Sequence, residues 1–157
     1  MKGEYKVNFK VEKIEKCRVA YMRQVGPYGV NNIQLMENIK TWAKEHQLLD
    51  ESAVILGITQ DNPTATLPQK CRYDVCIIIQ DDYQLDGSID ETELMSGDYA
   101  VYKVKHTAED IQKAWEYIFS DLHYSGYQVA NQPIIERYTQ QMIANHYCEI
   151  CVPIQTI

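Results

Sequence analysis

Hydrophobic period changes several times along this chain, and the changes mark its elements. Tyr5 to Val11 alternates polar and apolar, the pattern of a half-buried strand. Arg18 to Val25 continues as a second strand and is stopped by Gly26-Pro27. From Val30 to His46 the period becomes helical, with Leu35, Met36, Ile39, Trp42 and Ala43 on one face. Ala53 to Thr59 and Arg72 to Gln80 read as strands separated by the turn-rich Asp61-Asn62-Pro63. An acidic turn follows, and Tyr99 to Lys105 alternates again. Thr107, with Asp110 three residues on, opens a second helix whose stripe is Ala108, Ile111, Ala114, Trp115, Ile118 and Leu122. Gly126 ends it, and Ile134 to Thr139 and Tyr147 to Ile154 are the last strands.

After the first strand the order is strand, helix, strand, strand, and then the same again. Residues match as well as elements: Trp42 corresponds to Trp115, and Asp74-Val75-Cys76-Ile77 to Glu149-Ile150-Cys151-Val152. Each half has one helix on a small sheet and cannot bury both faces alone. The expected architecture is therefore α+β, a single domain over residues 1–157 with pseudo-repeats over about 5–80 and about 97–157. The two modules would share an antiparallel sheet of about eight strands, two long helices on one face, and a central groove near a pseudo-twofold axis.

Composition narrows the function classes. The 157 residues carry a net charge of −7, which gives nothing to the counterion release behind nucleic-acid binding. No direct DNA or RNA contact is expected, whereas cationic small molecules suit such a chain. No apolar run approaches the roughly 20 residues of a membrane span, and Met1 to Lys10 lacks the pattern of a secretion signal, so a cytoplasmic protein is expected. Five cysteines, an odd number, argue against a disulfide framework. Cys148 and Cys151 form a CxxC, but residues three apart on a strand face opposite ways, so neither a metal nor a cofactor is expected there. The run from Asp82 to Gly87 followed by Glu93 approaches a calcium loop. Gln84 breaks its third position and helical flanks are missing, so a solvated acidic turn is expected.

The halves differ where chemistry could sit. A glutamate, Glu136, occupies a strand of the second half where the first has Gly57 or Ile58. Alternation puts Ile134, Glu136 and Tyr138 on one face, where the carboxylate is either exposed or lines a pocket. The chain has 12 Tyr against 2 Phe, and tyrosine suits both sheet surfaces and grooves for amphipathic or cationic aromatic ligands. Both tryptophans lie on apolar helix stripes and are expected in the core. Trp115, in the half that carries Glu136, has the better chance of reaching a groove.

The motifs Val25-Gly26-Pro27-Tyr28, Arg72-Tyr73-Asp74-Val75-Cys76, Gly97-Asp98-Tyr99-Ala100-Val101-Tyr102, Trp115, Gly126-Tyr127 and Pro133-Ile134-Ile135-Glu136-Arg137-Tyr138 together resemble the GyrI-like small-molecule-binding domains. These are also the effector-binding domains of AraC-type and multidrug-responsive transcription regulators. The resemblance runs from about Tyr5 to Ile154, with no helix-turn-helix before it, so a stand-alone member is expected. It implies a central groove that binds lipophilic, often cationic compounds over Glu136, for sensing, sequestration or protection. Tyr138, Tyr28, Tyr99, Trp115 and Tyr147 are its implied walls. It also implies two alternatives: a hydrolase of strained cytotoxic compounds with Glu136 as its catalytic carboxylate, and an inhibitor of DNA gyrase acting through a protein partner. The exposed acidic stretch Asp81 to Glu93 suits the latter.

Overall fold

The computed structural model describes residues 9–157. In chain order its elements are β1 (Phe9–Ile14), β2 (Cys17–Val25), α1 (Val30–Glu45), β3 (Val54–Thr59) and β4 (Arg72–Ile79). There follow β5 (Asp90–Leu94), β6 (Gly97–Lys105), α2 (Ala108–Tyr124), β7 (Tyr127–Val129), β8 (Ile134–Thr139), α3 (Gln140–Ala144) and β9 (Tyr147–Thr156). The expected start of the first strand at Tyr5 lies outside the described residues. Four short elements are additional to the sequence reading: a 3-10 turn over Pro68–Lys70, β5, β7 and α3. The strand β5 sits in the stretch read as an acidic turn. It escapes an alternation test because an edge strand needs no apolar face. Its carboxylates are instead used across the ladder, Glu91 to Arg18 and Glu93 to Lys16.

Eight strands lie side by side in the order β1-β6-β9-β8-β3-β4-β2-β5, all antiparallel, and β7 adds to the end of β9. The order is symmetrical about the β3–β8 pair. Outward from it, β4, β2 and β5 on one side match β9, β6 and β1 on the other. The outermost strands are exchanged: β1, which precedes β2 in the chain, pairs with β6, and β5, which precedes β6, pairs with β2.

Both long helices cover the same face. Leu35, Ile39, Trp42 and Ala43 of α1 pack on Ala20, Val75 and Ile77. Ala114, Ile118 and Leu122 of α2 pack on Tyr102, Ile150 and Val152. The helix α2 starts as its sequence predicts, with the Thr107 hydroxyl accepting the Asp110 N–H at 3.1 Å. Gly126, at φ 90°, lets the chain turn out of its C-terminus. Since β3 and β8 run between the two helices, the middle of this face is left as a groove.

The opposite face carries its own core, with Val19, Leu56, Ile58, Cys76, Val101 and Ile135 buried together. Cys151 belongs to this core and Cys148 to the one under α1, so the two thiols do point to opposite faces. Arg137 on β8 donates to Glu149 on β9 at 2.9 Å and to both carboxylate oxygens of Glu12 on β1 at 2.9 and 3.0 Å. Three strand spacings separate β8 from β1, about 14 Å on a flat sheet. Side chains meet across that interval because the sheet curls around this face.

Removing one member of a buried ion pair leaves the other charge unsatisfied. Arg137→Met should therefore lower unfolding free energy by about 3–5 kcal/mol in urea titration. Glu91→Ala, which breaks the exposed pair with Arg18, should cost no more than about 1 kcal/mol. Equal losses would show that the Arg137 bridge does not hold the curl.

Candidate functional site

The antiparallel register places Gly57 on β3 directly opposite Glu136 on β8. Both therefore project onto the helix-covered face, at the floor of the groove. Around them the groove has two lobes that share Glu136 and Thr59. One, of about 620 Å³, is walled by Tyr28, Trp115 and Phe119, with Pro63 and Pro133 at its rim. The other, of about 480 Å³, is walled by Tyr73, Tyr138, His106 and Met36. Phe119, Ile33 and Ile143 remain largely exposed around these openings, an arrangement more typical of a binding cleft than of ordinary surface.

Gly57 is required at the floor. A Cβ there would stand 2.5 Å from the Tyr73 hydroxyl and 3.6 Å from Glu136 Oε1. Its bare backbone is what lets the Tyr73 ring, itself buried, lie over β3 toward the carboxylate. The Tyr138 hydroxyl donates to Glu136 Oε1 at 3.1 Å. Among the described residues no ammonium or guanidinium pairs with Glu136. Burial pushes its carboxyl above the ordinary value, and the Tyr138 hydrogen bond offsets only part of that rise. The two phenols respond in kind. Burial raises the Tyr73 and Tyr138 hydroxyls, and the nearby Glu136 charge raises them further. The second lobe also contains the buried Asn32 Oδ1, an acceptor without a partner in the described structure.

Tyr28 is fixed at the rim by its hydroxyl, which donates to the Arg72 carbonyl at 2.8 Å and accepts the Asp61 N–H at 3.2 Å. Asp61 in turn is held ionised, down to about 2, by the Arg72 guanidinium. Thus the turn read from Asp61-Asn62-Pro63 forms one wall of the larger lobe.

Of the residues singled out by sequence, the groove gathers Glu136, Tyr138, Tyr28 and Trp115. It does not gather Tyr99 and Tyr147. Tyr99 pairs with Pro153 and packs with Val101 and Cys151 on the curled face. Tyr147 is one residue from Cys148 and so faces the same reverse side, where the Lys103 ammonium lies 4.3 Å from its ring centroid. Strand parity decides both cases. Conversely, Tyr73, Phe119 and His106 line the groove without having been singled out. Alternation along β4 carried the signal for Tyr73, whose partner across the β3–β4 ladder is Thr59. Trp42, by contrast, lies in the core under α1, stacked on His46 at 4.2 Å between centroids and donating to the Ser88 hydroxyl at 2.9 Å.

Comparison with known proteins bears on this arrangement. A family model described as the GyrI-like small molecule binding domain matches residues 8–155. YosT of Bacillus subtilis (strain 168), an SPbeta prophage-derived protein named as a candidate transcriptional regulator, is 42% identical over 146 residues. That match covers 92% of this chain and 97% of YosT. A protein of Serratia proteamaculans (strain 568) named as a DNA gyrase inhibitor is 28% identical, over 90% of this chain and 92% of its own. The fold is similar to that of SAV2435 solved bound to tetraphenylphosphonium, with a TM-score of 0.62, 17% identity and 94% of each chain covered.

Glu136 gives a pH-dependent expectation. Its carboxyl is raised in the folded chain, so the native state holds the proton more tightly than the unfolded one. Its stabilising contribution is thus present below about 4.5, its ordinary value, and is lost as pH rises through the raised value. Glu136→Gln should unfold at higher urea than the parent at neutral pH, and the difference should close below about pH 4.5. A constant difference at all pH values would place the carboxylate in water. Gly57→Ala should cost about 1–3 kcal/mol by forcing the Tyr73 ring aside, read in the same titration.

Proposed function

The chain belongs to the GyrI-like small molecule binding domain family, and from that premise we propose that its groove binds lipophilic, cationic or aromatic compounds over Glu136. One observation carries this reading. Glu136 is a half-buried carboxylate with a single hydroxyl donor and, among the described residues, no countercharge. A carboxylate kept this way is costly to the empty protein. A cation entering the groove supplies what is missing, and the aromatic faces of Tyr28, Trp115, Tyr73 and Tyr138 attract the same positive charge through their π electrons. The apolar walls then favour a ligand that brings its charge inside a greasy shell. Tetraphenylphosphonium is of that kind, and the similar fold of SAV2435 has been solved with it bound. Such a protein would sense, sequester or protect against amphipathic compounds. Among the described residues, no helix is long and apolar enough to cross a membrane.

Calorimetry with tetraphenylphosphonium and with neutral triphenylphosphine oxide separates charge from shape. Glu136→Gln should cost the cation about 1.5–3 kcal/mol, roughly ten- to a hundredfold in Kd, and the neutral compound much less. Equal affinity of both proteins for the cation would return Glu136 to a merely structural place. Tryptophan fluorescence adds a second readout. Quenching by tetraphenylphosphonium should vanish in Trp115→Phe, which lines the larger lobe, and survive in Trp42→Phe, which lies in the core.

A second reading, inhibition of gyrase, is favoured by the Serratia relative's name and by the exposed carboxylates of Asp81, Asp82 and Glu93. It requires that the purified chain suppress gyrase supercoiling and that charge reversal at Asp81 and Asp82 abolish the effect.

A further inference from the structure

We propose that the curled face of the sheet holds a second small-molecule site, separate from the groove, for a small uncharged and mostly apolar molecule bearing one hydrogen-bonding group. A cavity of about 360 Å³ lies there, and residues from all eight strands of the continuous sheet line it. The eight curled strands form a concavity, open between the outer strands β1 and β5, with room for one small ligand. Not one of its lining residues lines either lobe of the groove.

The lining decides the ligand class. Ile14, Leu56, Ile78, Leu94 and Ile135 supply apolar walls. Arg137 is the charged group directed inward from β8, and each of its three guanidinium nitrogens donates to Glu12 or Glu149. A charged ligand would have to break that bridge, so an uncharged one fits. Lys10 lines the cavity from an exposed position on β1, the Thr139 hydroxyl accepts the Met142 N–H, and the Tyr99 hydroxyl is left over. Tyr99 lines the cavity and is only 3% exposed, yet its hydroxyl has no hydrogen-bond partner among the described residues. Burial raises this phenol, so it stays protonated and can donate or accept. The Tyr99 hydroxyl, unbonded among the described residues, is the point at which a guest inside the cavity would be read for polarity.

The test uses 2-naphthol and naphthalene as probes against the full chain with labelled Ile and Leu methyl groups, followed by NMR. Saturable shifts should appear at Leu56, Ile78, Leu94 and Ile135, whether or not the groove methyls of Ile55 and Ile134 also move. Tyr99→Phe, which keeps the ring and hence the packing, should weaken 2-naphthol about tenfold, equivalent to about 1.4 kcal/mol. It should leave naphthalene unchanged. Shifts confined to Ile55 and Ile134, or none that saturate, would overturn the site. Equal loss for both probes, or no loss for either, would overturn the role given to Tyr99. Since the supporting shifts are read at Leu56, Ile78, Leu94 and Ile135, none of which lines the groove, the outcome does not depend on how Glu136 behaves.

Discussion

The antiparallel pairing of β3 with β8 sets what each face of the sheet can be. These two strands are the innermost of eight, and the helices flank them rather than covering them. Whatever β3 and β8 present on the helix side becomes the floor of a groove; whatever they present on the other side becomes the middle of a curled core. The register makes the first set Thr59, Gly57 and Ile55 facing Ile134, Glu136 and Tyr138. It makes the second set Ile58 and Leu56 facing Ile135 and Arg137. A slip of one residue would exchange the two sets. It would put Glu136 into the hydrophobic core and Arg137 into the groove.

Three carboxylates sit on the middle strands, and the contrast between them is informative. Asp74 on β4 receives both guanidinium nitrogens of Arg23 at 2.7 and 2.8 Å, and Gln60 at 2.9 Å. Glu149, at the matching place on β9, is bonded to Arg137. Both are buried and both are neutralised within the protein. Glu136 receives one phenol. The fold thus supplies guanidinium partners to two of its inner acids and a single phenol to the third. Structural acids are costly to leave unpaired, and that cost is what motivates the ligand-binding role proposed for Glu136.

The helical stripes, most strands and the internal repetition were legible in the sequence because each rests on a period carried by several residues. Trp42 and Trp115, alike in their helical stripes, were separable only because Trp115 lies in the half that carries Glu136. What was lost concerns neighbours across the sheet. Glu136 and Gly57 read as counterparts in two copies of a motif; in space they are also partners across a ladder, which no single-strand pattern reveals. Tyr99 and Tyr147 were grouped with the groove by resemblance, although one residue of parity puts each on the reverse face. Tyr73 was overlooked because its importance depends on a missing side chain at position 57, sixteen residues earlier and on the neighbouring strand. The strand β5 was hidden by its charges, which are spent on Arg18 and Lys16 instead of on a core.

The exchange of β1 and β5 has a consequence for how the chain reaches its final form. The first described strand of the sheet, β1, has as its partner β6, whose residues Gly97–Lys105 are made much later. The first half likewise lacks an outer strand on β2 until β5 arrives. Each half therefore waits with an unpaired edge for a strand from the other, and the contacts that close the sheet are distant in sequence. Such pairing is slow and leaves hydrogen-bonding edges open to a neighbouring chain meanwhile. The same exchange makes the halves inseparable once formed: cutting the chain between them would strip an edge strand from both.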